Sequence, residues 1–270
     1  MKIALQAYTL RDYRSYKPGA LGAKEEIKTL LWRVAKAGYE GIEMGTPVGY
    51  THEEYKALLD EFGLQCITAR GVNYPSLDRA EINAAIEECK ALGAKNTMAG
   101  MGNIMLGNTD EITKYIKFLN ELGKILMEEA GIHLSYHNHA IEFSKVNGVT
   151  TMQRLIEETD ERYVFFEPDT HWIQAGGGHV ISWLKKLAGR MYVVHFKDYA
   201  IDQYSDHEFL ECTHRQFAEI GEGNMNWPGI ITECKAQNIK WCVVEQDLVP
   251  NRPVYEAIAL SVKNLRAFGV

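Results

Sequence analysis

Four short apolar runs in this chain lead into carboxylates and imidazoles. Ile132–Tyr136 leads into His137, Asn138, His139 and Glu142, and Tyr163–Phe166 into Glu167, Asp169 and His171. Met191–Val194 leads into His195, Lys197 and Asp198, and Trp241–Val244 into Glu245, Gln246 and Asp247. Charged side chains are costly to bury for packing alone. Brought together they would hold a divalent cation. Glu142, Asp169, His195 and Glu245 would supply three carboxylates and one imidazole. An oxygen-rich set with one nitrogen suits Mn²⁺, Mg²⁺ or Co²⁺, with Zn²⁺ as an alternative. None of the five cysteines stands at these positions, which argues against a thiolate zinc site.

The elements that would position these groups follow a repeated pattern: amphipathic helix, glycine or asparagine, short apolar strand. It recurs at Gly38, Gly63, Gly93 and Gly131, and more loosely at Gly189 and Asn238. Glycine or asparagine closes a helix in the left-handed conformation at little steric cost. Strands are expected at Lys2–Tyr8, Gly41–Met44, Gln65–Arg70, Lys95–Ala99, Ile132–Tyr136, Val164–Glu167, Met191–His195 and Trp241–Glu245. The most regular helical patterns are Glu25–Ala37, Glu53–Phe62, Asp78–Leu92, Asp110–Ala130 and Pro253–Phe268. Alternating strands and helices predict a parallel sheet, and eight such units fit a (β/α)8 barrel. Every strand then ends on one face, where the scattered polar endings converge. No linker or low-complexity tract appears, so residues 1–270 read as a single domain. The connection from about 196 to 226 is long and polar, and is expected to cover that face.

With 46% hydrophobic and 24% charged residues, the composition is that of a globular chain with a sizeable core. No apolar run approaches the ~20 residues of a membrane helix. The N-terminus reads directly as a strand and lacks the pattern of a signal peptide. A net charge of −7 disfavours a nucleic-acid backbone as partner. Five scattered cysteines without a CxxC motif read as reduced thiols in a cytoplasmic chain.

The segments Tyr136-His137-Asn138-His139-Ala140-Ile141-Glu142-Phe143, Asp169-Thr170-His171-Trp172 with Ala175-Gly176-Gly177, and Val194-His195-Phe196-Lys197-Asp198 occur in that order. Gly221-Glu222-Gly223-Asn224 with Trp227, and Val244-Glu245-Gln246-Asp247, complete the set. Together they resemble the xylose isomerase-like barrels named sugar phosphate isomerases/epimerases. The resemblance runs from Leu5 to the C-terminus and implies a metal held by Glu, Asp, His and Glu at successive strand ends. Three of these positions carry over to Asp169, His195 and Glu245. The first falls on Glu142, five residues beyond the His137 position where many relatives place a glutamate, with His137 and His139 as alternatives.

Each residue also has a plainer reading. His195 could be a hydrogen-bonded core histidine, Glu245 half of a salt bridge, and Asp169 only a helix cap. Glu167 shares a strand face with Asp169, and either serves proton transfer or pairs with a buried cation. Lys197 would steady an oxyanion, or pair with Asp198 or another carboxylate. His139, Glu142 and Glu245 are the candidate acids and bases, and His139 could instead orient Glu142. His137, His171 and Trp172 are expected to line a substrate pocket, Trp172 offering an apolar face to a sugar ring. Gln6, Tyr8, Arg11, Glu43 and Arg70 lie near earlier strand ends with no sign of which face the pocket.

The resemblance implies proton transfer next to a carbonyl through an enediolate, giving isomerisation or epimerisation of a sugar. The rival outcome is a lyase or dehydratase acting on a keto-sugar, inosose or 3-keto-glycoside. An endonuclease on the same fold needs more His and Glu ligands than appear here, and a sugar-binding subunit without turnover does not need the ligand set. The partner is expected to be a small sugar, without nucleic acid or membrane. A homo-oligomer and a partner subunit both remain open.

Overall fold

A computed structural model describes residues 1–13, 23–100, 108–203, 213–250 and 252–270. Short parallel strands form a closed ring, numbered here by barrel position: β1 (Lys2–Gln6), β2 (Gly41–Glu43), β3 (Gln65–Cys66 continuing as Thr68–Asn73), β4 (Asn96–Gly100), β5 (His133–His137), β6 (Val164–Glu167), β7 (Val193–Phe196) and β8 (Trp241–Val244). β7–β8–β1–β2–β3 pair in one run and β3–β4–β5–β6 in the next. Parallel bridges Phe166–Met191 and Asp169–His195 close the ring between β6 and β7. The result is the (β/α)8 barrel expected from the sequence.

The helices follow from local chemistry. Thr51 and Glu54 form a reciprocal capping box at the start of His52–Glu61. Asp78 and Asn108 cap Arg79–Leu92 and Thr109–Ala130, which end on Gly93 and Gly131 in the left-handed conformation. Asn238 does the same at φ 58° before β8, so the looser asparagine copy of the pattern works as the glycine copies do.

Two strand limits differ from expectation. β1 stops at Gln6 and gives way to a 3-10 turn over Ala7–Tyr13, because the Gln6 side chain accepts a bond from the Tyr8 amide and turns the chain. β3 is interrupted at Ile67 and its register with β4 shifts between Ala69 and Val72. A bulge of that kind re-aims side chains at a barrel rim.

Strand alternation separates two kinds of interior. Leu134, Tyr136, Phe166, Val194, Phe196, Cys242 and Val244 face the surrounding helices in the main apolar core. Ala4, Ile67, Val193, Trp241 and Val243 form a separate plug inside the barrel. Above that plug the interior turns polar. Ser135 Oγ donates to Asn96 Oδ1 at 2.6 Å, and Asn96 Nδ2 donates to Thr68 Oγ1 at 3.0 Å and to Glu167. These bonds offset the cost of burying polar groups there.

The long connection after β7 is an antiparallel hairpin, Asp198–Gln203 against Thr213–Ala218, with residues 204–212 of the expected loop outside the described residues. Buried Asp198 organises its return. Its carboxylate accepts from the amides of Tyr199, Gly221, Gly223 and Met225 and from Trp227 Nε1. A Cβ on Gly223 would stand 2.3 Å from Asp198 Oδ1, so only glycine fits that close approach. The Gly-Glu-Gly-Asn…Trp segment is therefore the cradle of Asp198, and Asp198 is not the partner of Lys197. Cys66, Cys89, Cys234 and Cys242 are buried free thiols, and Cys212 lies outside the described residues. Among the described residues no helix is long and apolar enough to cross a membrane.

Candidate metal centre

The polar endings of β5 to β8 meet at the C-terminal mouth of the barrel. His137, Asp169, His195 and Glu245 each offer one ligand atom, and these atoms lie within 4.8 Å of one another. His137 Nε2 is 3.4 Å from Asp169 Oδ2 and 3.9 Å from Glu245 Oε2. His195 Nδ1 is 3.1 Å from Glu245 Oε2. Asp169 does cap a short helix, Thr170–Ala175, but with Oδ1, which accepts from the Trp172 amide at 2.8 Å. Its other oxygen, Oδ2, points into the cluster.

Glu142 is absent from this group, which corrects the expectation that it is the first ligand. Its carboxylate is buried and engaged on both oxygens, by the Tyr136 hydroxyl at 2.6 Å and the His139 amide at 2.9 Å. Strand parity explains the exchange. His133, Ser135 and His137 share the inward face of β5, while Tyr136 points to the helices and catches Glu142 there. His137 thus stands in the cluster where Glu142 was expected, and the four candidate ligands are two imidazoles and two carboxylates.

His195 is held from both sides. Nε2 lies 2.9 Å from Glu43 Oε2, and Glu43 is fixed by Gln6 Nε2 at 2.8 Å and Thr68 Oγ1 at 2.6 Å. A carboxylate on one ring nitrogen fixes the tautomer and aims the other nitrogen at a metal. Glu43 was visible in the sequence only as one of several polar residues near an early strand end. Replacing Glu43 with Gln should weaken metal affinity roughly 10- to 100-fold, with an unchanged far-ultraviolet circular dichroism spectrum. A metal titration of the two proteins checks this.

Burial disfavours a charged His195, but Glu43 and Glu245 outweigh it and hold its pKa well above the usual histidine value. Burial and neighbouring His195 push His137 down. A divalent cation would therefore compete with a proton at His195 more than at His137. Binding should release protons, and apparent affinity should fall about tenfold per pH unit on acidification below the raised His195 pKa. Calorimetry in buffers of different ionisation heat measures that release. Burial raises the carboxyl of Asp169, yet Lys197 and His137 prevail and bring it to about 2. Glu245 is likewise lowered, by Lys197 and His195 against burial.

Lys197 is only 1% exposed. Its Nζ sits 3.0 Å from Asp169 Oδ2, 3.1 Å from Glu245 Oε2 and 3.0 Å from Asp247 Oδ2. It also lies 5.1 Å from the Trp172 ring centroid. Burial lowers its pKa, but the three carboxylates more than reverse this and keep it an ammonium. A cavity of about 470 Å³ opens over the centre, lined by Gln6, Tyr8, His137, His139, Trp172, Lys197, Glu245 and Asp247. Gln6, Tyr8 and Asp247 join the expected residues there.

Other expected residues fall elsewhere. Glu167 lies deeper, hydrogen-bonded to Asn96 and Thr68 and 3.7 Å from His195 Nε2, without a Lys or Arg partner among the described residues. Burial and the nearby Glu43 push its carboxyl up to about 8. His171 packs among Trp172, Tyr199 and Phe217 and does not line the cavity. Burial takes its pKa down to about 4. Arg11 stacks on the Tyr8 ring at 4.4 Å. His139 is 45% exposed at its side chain, with Nδ1 3.9 Å from Glu142 Oε1, an ion-pair rather than hydrogen-bond separation.

The donor set fits a divalent cation on an independent observation. His137 Nε2 is buried and has no hydrogen-bond partner, although it faces Asp169 Oδ2 at 3.4 Å. An unsatisfied ring nitrogen at such depth is rare and costly, and a cation shared with Asp169 would satisfy it.

A parallel barrel with carboxylates and imidazoles gathered at its C-terminal mouth defines a (β/α)8 protein with a candidate metal centre. The chain belongs to the xylose isomerase-like TIM barrel family, whose sequence model matches residues 31–265. An inosose dehydratase of Bacillus anthracis (strain CDC 684 / NRRL 3495) is 26% identical over 258 residues, covering 85% of each chain. A crystal structure of a sugar phosphate isomerase/epimerase from Parabacteroides distasonis ATCC 8503 superposes with a TM-score of 0.74 at 23% identity, covering 98% of this chain and 93% of the other. The IolI protein with a bound zinc atom superposes at 0.70 and 17% identity, covering 99% and 98%.

Proposed function

We propose that this protein is a divalent-metal-dependent sugar isomerase or epimerase that removes a proton next to a carbonyl and works through an enediolate. The observation that carries this reading is the convergence of His137, Asp169, His195 and Glu245, with Lys197 and His139 beside them in one cavity. A bound cation, Mn²⁺ in our reading, would supply Lewis-acid stabilisation of the charge that develops on the carbonyl oxygen.

The chain's own residues supply the rest. Lys197, fixed by three carboxylates, places its positive charge beside the developing oxyanion. His139 is the base. Its ring is accessible in the cavity, whereas Glu142 is buried with both oxygens engaged and Glu245 serves the metal centre. Glu142 is then the positioning residue for His139, the reverse of the order considered from sequence. Returning the proton to the neighbouring carbon gives isomerisation, and returning one to the opposite face gives epimerisation. Trp172 presents an apolar wall to the ring carbons. The partner is a small sugar and the compartment the cytoplasm.

A second reading is favoured by the relatives named inosose dehydratase. After the same proton abstraction, a hydroxyl on the β-carbon leaves as water once protonated, and a conjugated ketone remains. Incubation in D₂O with ketoses, aldoses, inososes and 3-keto-glucosides distinguishes these outcomes. After removal of the metal by chelation, proton NMR should show deuterium at the carbon next to the carbonyl. The product then separates isomerase, epimerase and dehydratase. Absence of exchange with every compound at full metal occupancy would contradict the shared step.

A further inference from the structure

His139 takes a proton from one face of the substrate, and a second group must return one to the other face. Eight side chains line the cavity over the metal centre. Gln6 and Trp172 carry no group that gives up a proton in such a step, and His137 and Glu245 belong to the clustered ligands. Lys197 directs its ammonium at three carboxylates, each within 3.1 Å. An ammonium has three N–H donors, so none remains for a substrate. Tyr8 and Asp247 are left beside His139.

Proton transfer needs a group held in place, and of these two only Asp247 is held. The backbone leading into it is anchored, the Glu245 amide donating to the Phe196 carbonyl at 3.1 Å and the Gln246 amide to Thr9 Oγ1 at 3.0 Å. Lys197 Nζ fixes its Oδ2 at 3.0 Å, and Oδ1 has no hydrogen-bond partner among the described residues. The side chain is 20% exposed and lines the cavity. Tyr8 is 48% exposed, and nothing among the described residues holds its hydroxyl. His139 follows β5 and Asp247 follows β8, with Trp172 after β6 and Lys197 after β7 between them. The two therefore flank a substrate from different walls.

We propose that Asp247 is a second catalytic residue, which delivers a proton on the face opposite His139. This inference rests on the proposed function and deepens it. One base suffices for isomerisation, whereas groups on two walls serve epimerisation or loss of water. When His139 breaks the C–H bond, the bond's electron pair moves toward the carbonyl oxygen and an enediolate forms. The pair then returns to carbon and bonds the Asp247 proton on the opposite face. Asp247 is left a carboxylate and His139 an imidazolium, and solvent resets both. In the reverse direction the two exchange roles. In dehydration the Asp247 proton goes to the β-hydroxyl instead. Its C–O bond breaks, the bond's pair leaves on water, and the enediolate pair closes the new C=C bond.

The test follows the metal-loaded wild type, Asp247→Asn, Asp247→Glu and Tyr8→Phe in D₂O with ketoses and inososes. Deuterium in recovered substrate is read separately from net product. Asp247→Asn should lower net product formation by about 10²- to 10⁴-fold, while His139 continues to carry deuterium into recovered substrate. Asp247→Glu, which keeps the carboxyl, should recover product. Joint loss of exchange and product in Asp247→Asn, as expected if Asp247 only steadies Lys197, would overturn this role. So would unimpaired product formation in Asp247→Asn, or a Tyr8→Phe variant that loses product while keeping exchange. Absence of exchange by the wild type with every compound would contradict the proposed function itself, and the role of Asp247 falls with it.

Discussion

Replacing Asp169 with asparagine should lower turnover by on the order of 10³-fold, the loss expected when metal stabilisation worth several kcal/mol is removed. The substitution separates the residue's two tasks. Asparagine is as good a helix cap as aspartate, so the bond from Oδ1 to the Trp172 amide persists and the Thr170–Ala175 turn is kept. What disappears is the charge on Oδ2, the buried oxygen shared with His137 Nε2 and Lys197 Nζ. A normal melting curve with lost metal affinity is the expected pair of results. If Asp169 were only a cap, activity and metal affinity would both survive.

Replacing His139 with glutamine should cost about 10²- to 10⁴-fold in proton exchange, the usual contribution of a positioned base. Metal affinity should stay as in the wild type, because His139 is not one of the four clustered ligands. The pH profile gives a finer signature. The Glu142 carboxylate beside His139 raises its pKa, against the opposing effect of burial. A base must be neutral to accept a proton, so kcat/KM should rise with pH and level off above that raised pKa. Glu142→Gln removes the charge that raises it, and the midpoint should move to lower pH. A profile unmoved by Glu142→Gln, or an unimpaired His139→Gln, would exclude the pair.

Much of this arrangement was legible in the residues. The helix-closing glycines are punctuation that acts locally, and Gly93, Gly131 and Asn238 adopt the conformation the pattern predicted. Asp169, His195 and Glu245 stand at strand ends where convergence on one face follows from the barrel itself. A count of carboxylates points to Glu142, whereas strand parity points to His137. The inward series His133, Ser135, His137 was present in the sequence and places His137 opposite Glu167 in the ladder.

The rest depends on contacts far apart in sequence. Glu43 meets His195 across 152 residues, and Lys197 meets Asp247 across 50. Glu167 does share strand parity with its neighbours, but Pro168 intervenes before Asp169, and Glu167 ends one layer deeper, against Asn96 and Thr68. No local pattern distinguishes those depths.

The most direct measurement of the central claim is anomalous X-ray scattering from a crystal loaded with Mn²⁺. One strong peak should lie among His137 Nε2, Asp169 Oδ2, His195 Nδ1 and a Glu245 carboxylate oxygen. No peak there at full loading, or one coordinated by Glu142 in place of His137, would contradict the account.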